Sequence, residues 1–484
     1  MKMAAREYIG NRTIFLLGLA FVCIAGGIGV IFPPHIYPLA AVLALMALVL
    51  MIYSPIAALL TYLVFFLAWP QEWAPYFQYL PGFTERIIGF MAMGSLALSM
   101  LARRRTDFHM GRIGLAFLGL LVAYTLSAFS AYYLTEVKDT VTEVLRLLVV
   151  YVLVVNIVDT PAKLKAVMRL YFLAVGVMAV LSVVNYYNGV FQYRMGIARA
   201  IGHGMSYADP NSHAATIIYA LPVLFYSMKH WAKGIERIAL VAISAVGCWN
   251  IVLTGSRTAM VGVLVLVAAV IARSQRKFVY GLLAAILLVA IAFAMPEQYK
   301  QRFESTADIT SESSSAESAR GRIEGLEHGF KLFLISPITG VGAGCFAIAR
   351  GVEFGVYFSS HNMLAELMAE SGVVGMSAFG VFVWAIFFTI RQLRRRLRTQ
   401  QAQPERQLMI GLTEGILVSY WLLFLMGLAG HNLYRYNWFF FGAVLTAMLH
   451  MVELQDEPPP VAATKEDAGS RPELPVGVDG GEHD

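Results

Sequence analysis

The chain alternates between long apolar runs and short polar segments from Thr13 to His450. A bilayer core needs about 20 predominantly apolar residues per helix, and the runs are continuous, which excludes the alternating pattern of a transmembrane β-barrel. The pattern predicts an all-α, polytopic transmembrane helical bundle of about 14 spans, with one large external loop that contains short helices. The predicted helices lie at roughly 13–32, 37–53, 55–69, 83–101, 112–133, 142–158, 163–188, 210–230, 236–254, 258–273, 277–295, 361–390, 407–428 and 433–452.

The connections between these runs fall alternately into two sets. One set is short and densely basic, as in 102–112 and 391–406. Because basic loops are retained on the cytoplasmic side of a membrane, this set and both termini are predicted to be cytoplasmic. The other set, which includes the long segment 296–360, would face the outside. The first run is too long for the apolar part of a signal peptide, so we expect a retained helix there.

Composition agrees with a membrane protein, since 58% of the residues are hydrophobic and 14% are charged. A net charge of +6 does not indicate nucleic-acid binding, because basic residues in such a protein mostly set its orientation. The three cysteines have neither metal-site spacing nor a disulfide framework. Four regions are predicted: a transmembrane bundle (1–295), an external loop with short helices (296–360), C-terminal transmembrane helices (361–454) and a disordered acidic cytoplasmic tail (455–484).

Orientation does not explain the arginines on the predicted outer side. Arg257 lies in LTGSRTAMVG, between two helices joined by almost no loop, and Arg320 and Arg322 lie in the large external loop. Arg257 could simply extend its side chain to the membrane surface, and the other two could form a solvated helix face. An anion-binding role is the alternative for all three.

Further polar residues open the apolar run after that loop. His361 could be an interfacial anchor or a functional imidazole, and Asn362 could cap the helix or fix a histidine tautomer. Glu366 and Glu370 are four residues apart and therefore share a helix face. Because that face points away from His361, we expect these carboxylates to pair with arginines inside the bundle.

The segment ADPNSHAA opens another helix, for which Asp209 can serve as the N-cap with Pro210 at the first helical position. A metal site formed by His203, Asp209 and His213 has a spacing that fits no known scheme. His431 and Asn432 have no interpretable sequence context.

The sequence shows no GxxxxGK[ST] loop, no GxGxxG after a strand and no DxD. A nucleotide-dependent cytosolic glycosyltransferase is therefore disfavoured. Gly340, Gly342 and Gly344 lack the strand context of a dinucleotide loop. They predict a tight turn that lets the backbone approach another segment closely.

In order and spacing, four elements resemble the O-antigen ligase and O-antigen polymerase superfamily of bacterial envelope polysaccharide enzymes. The resemblance covers about 202–380. The elements are DPN at Asp209–Asn211, SRTA at Ser256–Ala259, an arginine-bearing helix with Arg322 that leads to P-x-x-G-x-G-x-G at Pro337–Gly344, and HNMLAELMAESG at His361–Gly372.

The resemblance implies a membrane-embedded, class C type glycosyltransferase in the bacterial cytoplasmic (inner) membrane. Such an enzyme needs no metal or nucleotide cofactor. It moves a glycan from undecaprenyl pyrophosphate to an acceptor hydroxyl on the outer face, and attack from behind the leaving group would invert the anomeric centre.

The resemblance also implies roles for particular residues. Arg257 and Arg322 would bind the pyrophosphate, with Arg320 as a substitute. His361 would be the catalytic base, or alternatively a protonated phosphate ligand. The supporting residues would be Asn362, Glu370, Asp209 and Asn211.

Three acceptors stay open: a lipid A core, a second repeat unit on the same carrier, or a protein hydroxyl. A transporter or flippase is the rival from another class, because intramembrane charges often mark transport pathways. The clustering of the polar residues on one side of the membrane disfavours it.

Overall fold

The structure is a computed structural model that describes residues 49–74, 82–102, 107–194, 196–204, 208–294, 297, 299–300, 314–399 and 404–456. The predicted helix at 13–32, most of the helix at 37–53 and nearly all of the predicted tail lie outside these residues.

The described residues are mostly α-helical, with one small hairpin. The helices are α1 (Pro55–Ala68), α2 (Thr84–Ala102), α3 (Gly111–Leu126), α4 (Leu134–Ile157), α5 (Pro161–Tyr187), α6 (Pro210–His230), α7 (Gly234–Thr254), α8 (Arg257–Ala272), α9 (Lys277–Ala294), α10 (Ser314–Ile335), α11 (Phe346–Phe354), α12 (Met363–Thr399), α13 (Pro404–Gly427) and α14 (Tyr436–Asp456). The hairpin strands are β1 (Gln192–Arg194) and β2 (Ile197–Arg199), which pair antiparallel.

The predicted all-α membrane bundle is confirmed. Within the described residues, eight helices are long and apolar enough to cross a bilayer, namely α2, α3 with its 3₁₀ extension to Ser130, α4, α5, α7, α12, α13 and α14. Three further apolar helices are shorter: α1, α8 and the part of α9 at Lys277–Ile286. The predicted helix ends agree to within a few residues for most of these elements.

Three local predictions differ from the structure. α4 begins at Leu134, earlier than the predicted start at 142. The prediction placed the start too late because it followed the apolar run, and the first two turns of α4 are polar. The hairpin β1–β2 was not predicted, since its segment has no long apolar period, and α12 extends to Thr399 instead of ending near 390. α10 matches the helix expected within the external loop.

The helices pack around α6, α13 and α14, which are largely buried. α6 and α13 approach closely at Gly415, where a Cβ atom would lie 2.7 Å from Val223 Cα. Ser419 of α13 donates a 2.7 Å hydrogen bond to the carbonyl of Tyr219 in α6. The closeness follows from the missing side chain, since only glycine allows two backbones to meet this tightly.

Loops of the set predicted to be outside, which is every second connection along the chain, meet at one end of the bundle, which we call the site end. There, Gly204 N–H donates to Glu72, Tyr132 N–H donates to the Val341 carbonyl, and Asn362 donates to the Leu428 carbonyl. The predicted outer loops that the structure describes therefore cluster together. Which side of the membrane this end faces stays a prediction.

The glycine turn Gly340–Gly344 inserts into a break in α12. All three glycines have positive φ, and Gly372 in α12 has φ 56° and ψ −158°, which is not helical. Val341 N–H donates to the Ala369 carbonyl at 2.7 Å, and Val373 N–H donates to the Pro337 carbonyl at 2.8 Å. The predicted close backbone approach is confirmed, and the turn together with Pro337 supplies hydrogen bonds that the broken helix lacks.

Candidate active site

Two histidines from different loops face each other at the site end. His361 precedes α12, and His431 lies between α13 and α14; their ring centroids are 4.3 Å apart. His361 adopts φ 52°, a left-handed conformation that is uncommon for residues other than glycine. The backbone thereby turns its ring toward His431, and the side chain is partly enclosed by protein and partly accessible to solvent.

Asn362 and Ser360 hold the start of α12. Asn362 Oδ1 accepts hydrogen bonds from Leu364 N–H at 2.9 Å and Ala365 N–H at 3.2 Å, which makes Asn362 the helix cap. The Ser360 hydroxyl donates to the carboxylate of Glu366 at 3.3 Å. Hydrogen bonds of Ser360 and Asn362 thus fix the loop before α12 on both sides of His361.

Both glutamates of α12 are buried, but neither pairs with an arginine among the contacts in the structure. Glu366 forms an ion pair with His431 Nδ1. Glu370 accepts from Tyr434 at 2.5 Å, Gly344 N–H at 2.9 Å and Phe346 N–H at 3.3 Å. The expectation of arginine partners is therefore wrong, because the tertiary fold brings the loop between α13 and α14 and the glycine turn against this face instead.

Arg322 of α10 reaches the start of α8. Its Nη2 donates to the Thr258 hydroxyl at 3.3 Å, beside Arg257. α10 packs against the start of α12 through two glycines. A Cβ atom added at Gly325 would lie 2.7 Å from the Ser360 carbonyl oxygen, and one added at Gly329 would lie 2.7 Å from Ala365 Cβ. This close packing sets the position of Arg322 relative to His361.

The other predicted residues differ in their surroundings. Arg320 is exposed. Asp209 caps α6 by accepting from Ser212 N–H at 2.8 Å. Asn211 accepts a 2.7 Å hydrogen bond from Arg199 of β2, whose Nε donates to the Thr254 carbonyl. Asp209 and Asn211 therefore fix the loops around the site.

The charges at the site are coupled. Burial, followed by the charges of His431 and Arg322, lowers the pKa of His361 to about 4, while Asp209 opposes this shift. Burial disfavours the charged form of His431, but the hydrogen bond and charge of Glu366 outweigh it and raise the pKa of His431. Burial and the neighbouring Arg257 lower the pKa of Arg322. At neutral pH this favours a neutral His361 beside an imidazolium at His431.

Three residues of the segment GHNLYRYNW received no role from the sequence: His431, Tyr434 and Arg435. Arg435 is buried and donates to the carbonyls of His431 and Ser212, each at 3.3 Å. One signal was available, because an arginine and a histidine in a short outer loop are not explained by orientation. Their partners in α12 and α6 are far away in the sequence and could not be assigned.

Metal-ligand geometry is absent from the part of the chain that the structure describes, where no group of three or more histidine, cysteine, aspartate or glutamate side chains could hold an ion. His203 instead contacts Asn185 at 2.7 Å, and His213 contacts Asn250 at 3.1 Å. The site is thus built from guanidinium, imidazole and carboxylate groups.

The order of these elements along the chain can be compared with known families. Residues 239–380 match the family model described as O-Antigen ligase. This match assigns the segment to the O-antigen ligase and polymerase superfamily, as its motifs predicted. No curated protein matches the chain.

The O-antigen ligase segment contains Arg257, Arg322, the glycine turn and His361, whereas Asp209–Asn211 and the loop with His431 lie outside it. The match of this segment supports a glycosyltransferase-like enzyme in a membrane that acts on glycan donors and acceptors.

Proposed function

We propose that the protein is a glycosyltransferase that moves a glycan from undecaprenyl pyrophosphate to an acceptor hydroxyl, on the outer face of the bacterial inner membrane. The observation that carries this proposal is the convergence of Arg322, next to Arg257, with the His361–His431 pair. The residues come from α8, α10 and two loops. A lipid A core or a second carrier-linked repeat unit is the proposed acceptor.

The two arginines suit a departing pyrophosphate. Two guanidinium groups close enough to lower the pKa of Arg322 repel each other, and a bound anion removes that repulsion. Arginine binds phosphate oxygens with a planar fork. Fixed cations of this kind stabilise developing negative charge without reorganisation, often by a few kcal/mol each. We expect them to supply the charge stabilisation at the leaving group.

His361 suits the role of general base. Its lowered pKa keeps the imidazole neutral at neutral pH, which leaves a ring nitrogen free to accept a proton, and it also makes the group a weaker base than an ordinary histidine. The acceptor oxygen forms a bond to the anomeric carbon while its proton moves to His361. The bond from that carbon to the phosphate oxygen breaks, and its electron pair leaves with the pyrophosphate.

His431 and Glu366 would act as positioning residues. Glu366 holds the His431 imidazolium, and Arg435 binds the His431 carbonyl at 3.3 Å. This fixed cation opposes protonation of His361. The pair thus keeps the proposed base ready without touching substrate.

The proposal is tested by transfer assays with a carrier-linked glycan donor. His361→Ala and Arg257→Ala should each abolish transfer while membrane levels of the protein stay normal. Arg322→Lys keeps a cation but loses the fork, so we expect reduced transfer. An exposed arginine gives the matched control: Arg320→Lys should retain wild-type activity. Wild-type transfer by His361→Ala would refute its role as base.

A further inference from the structure

A second group of ionisable residues lies inside two predicted membrane spans. Glu85 of α2 and Arg146 of α4 form an ion pair at 3.2 Å; the Glu85 side chain is 1% exposed and the Arg146 side chain 23% exposed. Glu143 lies one turn before Arg146, on the same face of α4, and interacts electrostatically with it. Charged residues within a span face the bundle interior or a polar cavity and usually mark a functional site.

A tryptophan completes this group. The Arg146 guanidinium lies 6.0 Å from the ring centroid of Trp69, which follows α1. Trp69 has φ 43°. The loop at Gly204 packs closely against it, since a Cβ atom added at Gly204 would lie 2.8 Å from Trp69 Cβ. A strained conformation held by its surroundings is a reason to look for function. Here the strain fixes the indole beside a partly exposed guanidinium.

The group adjoins the proposed active site through Arg435. Glu143 interacts electrostatically with Arg435, whose Nε donates to the His431 carbonyl at 3.3 Å. α4 packs on α1, α2, α3 and α14, whereas α8, which begins at Arg257, packs on α6, α7, α9 and α13. The two groups of charges therefore lie on helices that pack with different neighbours.

We propose that Trp69, Glu143 and Arg146 form a subsite for the sugar that carries the acceptor hydroxyl. This inference rests on the proposed function. Displacement at the anomeric carbon requires the acceptor to approach from the side opposite the leaving group. With the pyrophosphate at Arg257 and Arg322, the proposal assigns that side to α1, α2 and α4, which pack with other helices than α8 does.

The chemistry of the group fits a sugar. An indole ring offers a rigid apolar face against which the C–H groups of a pyranose can pack, and its ring N–H can donate a hydrogen bond. Arg146 presents planar N–H donors to ring hydroxyls, and the Glu143 carboxylate accepts from them. Glu85 is buried and holds Arg146 in place. A pocket with one aromatic wall and a few fixed polar groups orients its ligand in this way.

The experiment measures transfer from a carrier-linked glycan donor at saturation while the acceptor concentration varies. The two acceptor probes are lipid A core isolated from cells that lack this protein, and the repeat unit released from its carrier. For the acceptor that supports transfer, Trp69→Ala and Glu143→Gln should raise the acceptor KM about tenfold or more, the loss expected from one removed contact of about 1.4 kcal/mol. The donor KM should change little, and Trp69→Phe should recover part of the loss.

Trp384 supplies the matched control, since it is exposed on the distal part of α12; Trp384→Ala should leave both KM values unchanged. Equal acceptor KM values in Trp69→Ala, Glu143→Gln and wild type would overturn the subsite. A parallel rise in donor KM would also overturn it, because the effect would then be general. Failure of the wild-type protein to transfer to either probe would instead overturn the proposed function, and this inference with it.

Discussion

The substitution Gly340→Ala tests whether the glycine turn holds the broken helix α12 together. Gly340 has φ 76°, and a Cβ atom there would lie 2.3 Å from Glu370 C and Ser371 N. These are backbone atoms that cannot rotate away. Gly355 has nearly the same φ, 74°, with nothing within 4 Å of an added Cβ, so Gly355→Ala is the matched control.

The two variants separate backbone strain from steric overlap. A left-handed conformation costs an alanine roughly 1–2 kcal/mol, and both variants carry that cost. Forcing an additional atom into a packed backbone contact costs typically about 1–3 kcal/mol more. We therefore expect Gly340→Ala to lower the free energy of unfolding by about 2–5 kcal/mol, and Gly355→Ala by about 1–2 kcal/mol.

The assay is equilibrium unfolding of the purified protein in mixed detergent micelles, followed by intrinsic tryptophan fluorescence. Glycan transfer is measured on the same samples. Because the turn also carries Gly344, whose N–H binds Glu370 at 2.9 Å, Gly340→Ala should lose activity more than Gly355→Ala does. Equal stabilities for the two variants would refute the argument that the close backbone contact at Gly340 stabilises the break in α12.

The remaining predictions concern the charges beneath the turn and at the histidines. Glu370→Gln leaves the N–H groups of the turn and the Tyr434 hydroxyl with a weaker acceptor, so it should lower the free energy of unfolding in the same assay by about 1–3 kcal/mol. Tyr434→Phe should lower the free energy of unfolding less in the Glu370→Gln variant than in the wild-type protein. Because protonation of His361 removes the base, transfer should persist from neutral pH down through the ordinary histidine range and fall only as the pH approaches its lowered pKa of about 4. Glu366→Gln removes the partner that raises the pKa of His431, which reduces repulsion at His361, so the acid limb of the pH profile should move to higher pH; an unchanged limb would exclude electrostatic coupling between the two histidines.

Local sequence patterns predicted much of this structure. Apolar runs of bilayer length predicted the helical membrane bundle, because a backbone in lipid must satisfy its own hydrogen bonds. Asp209 and Pro210 predicted the start of α6, where the side chain of Asp209 caps the helix, since capping depends on neighbours within one turn. The ordered motifs around Arg257, Arg322 and His361 predicted the family, and the glycine spacing predicted a close backbone approach.

Only the tertiary structure decided which polar residues meet. Glu366 is 65 positions before His431 in the sequence, yet the two form an ion pair because the loop between α13 and α14 folds over the start of α12. Glu370 likewise meets the turn at Gly344, and Arg146 meets Trp69, across separate helices. A helix fixes only the neighbours on its own faces, one turn apart. Contacts between helices depend on how whole faces pack, and that information is distributed over the chain instead of being carried by any motif.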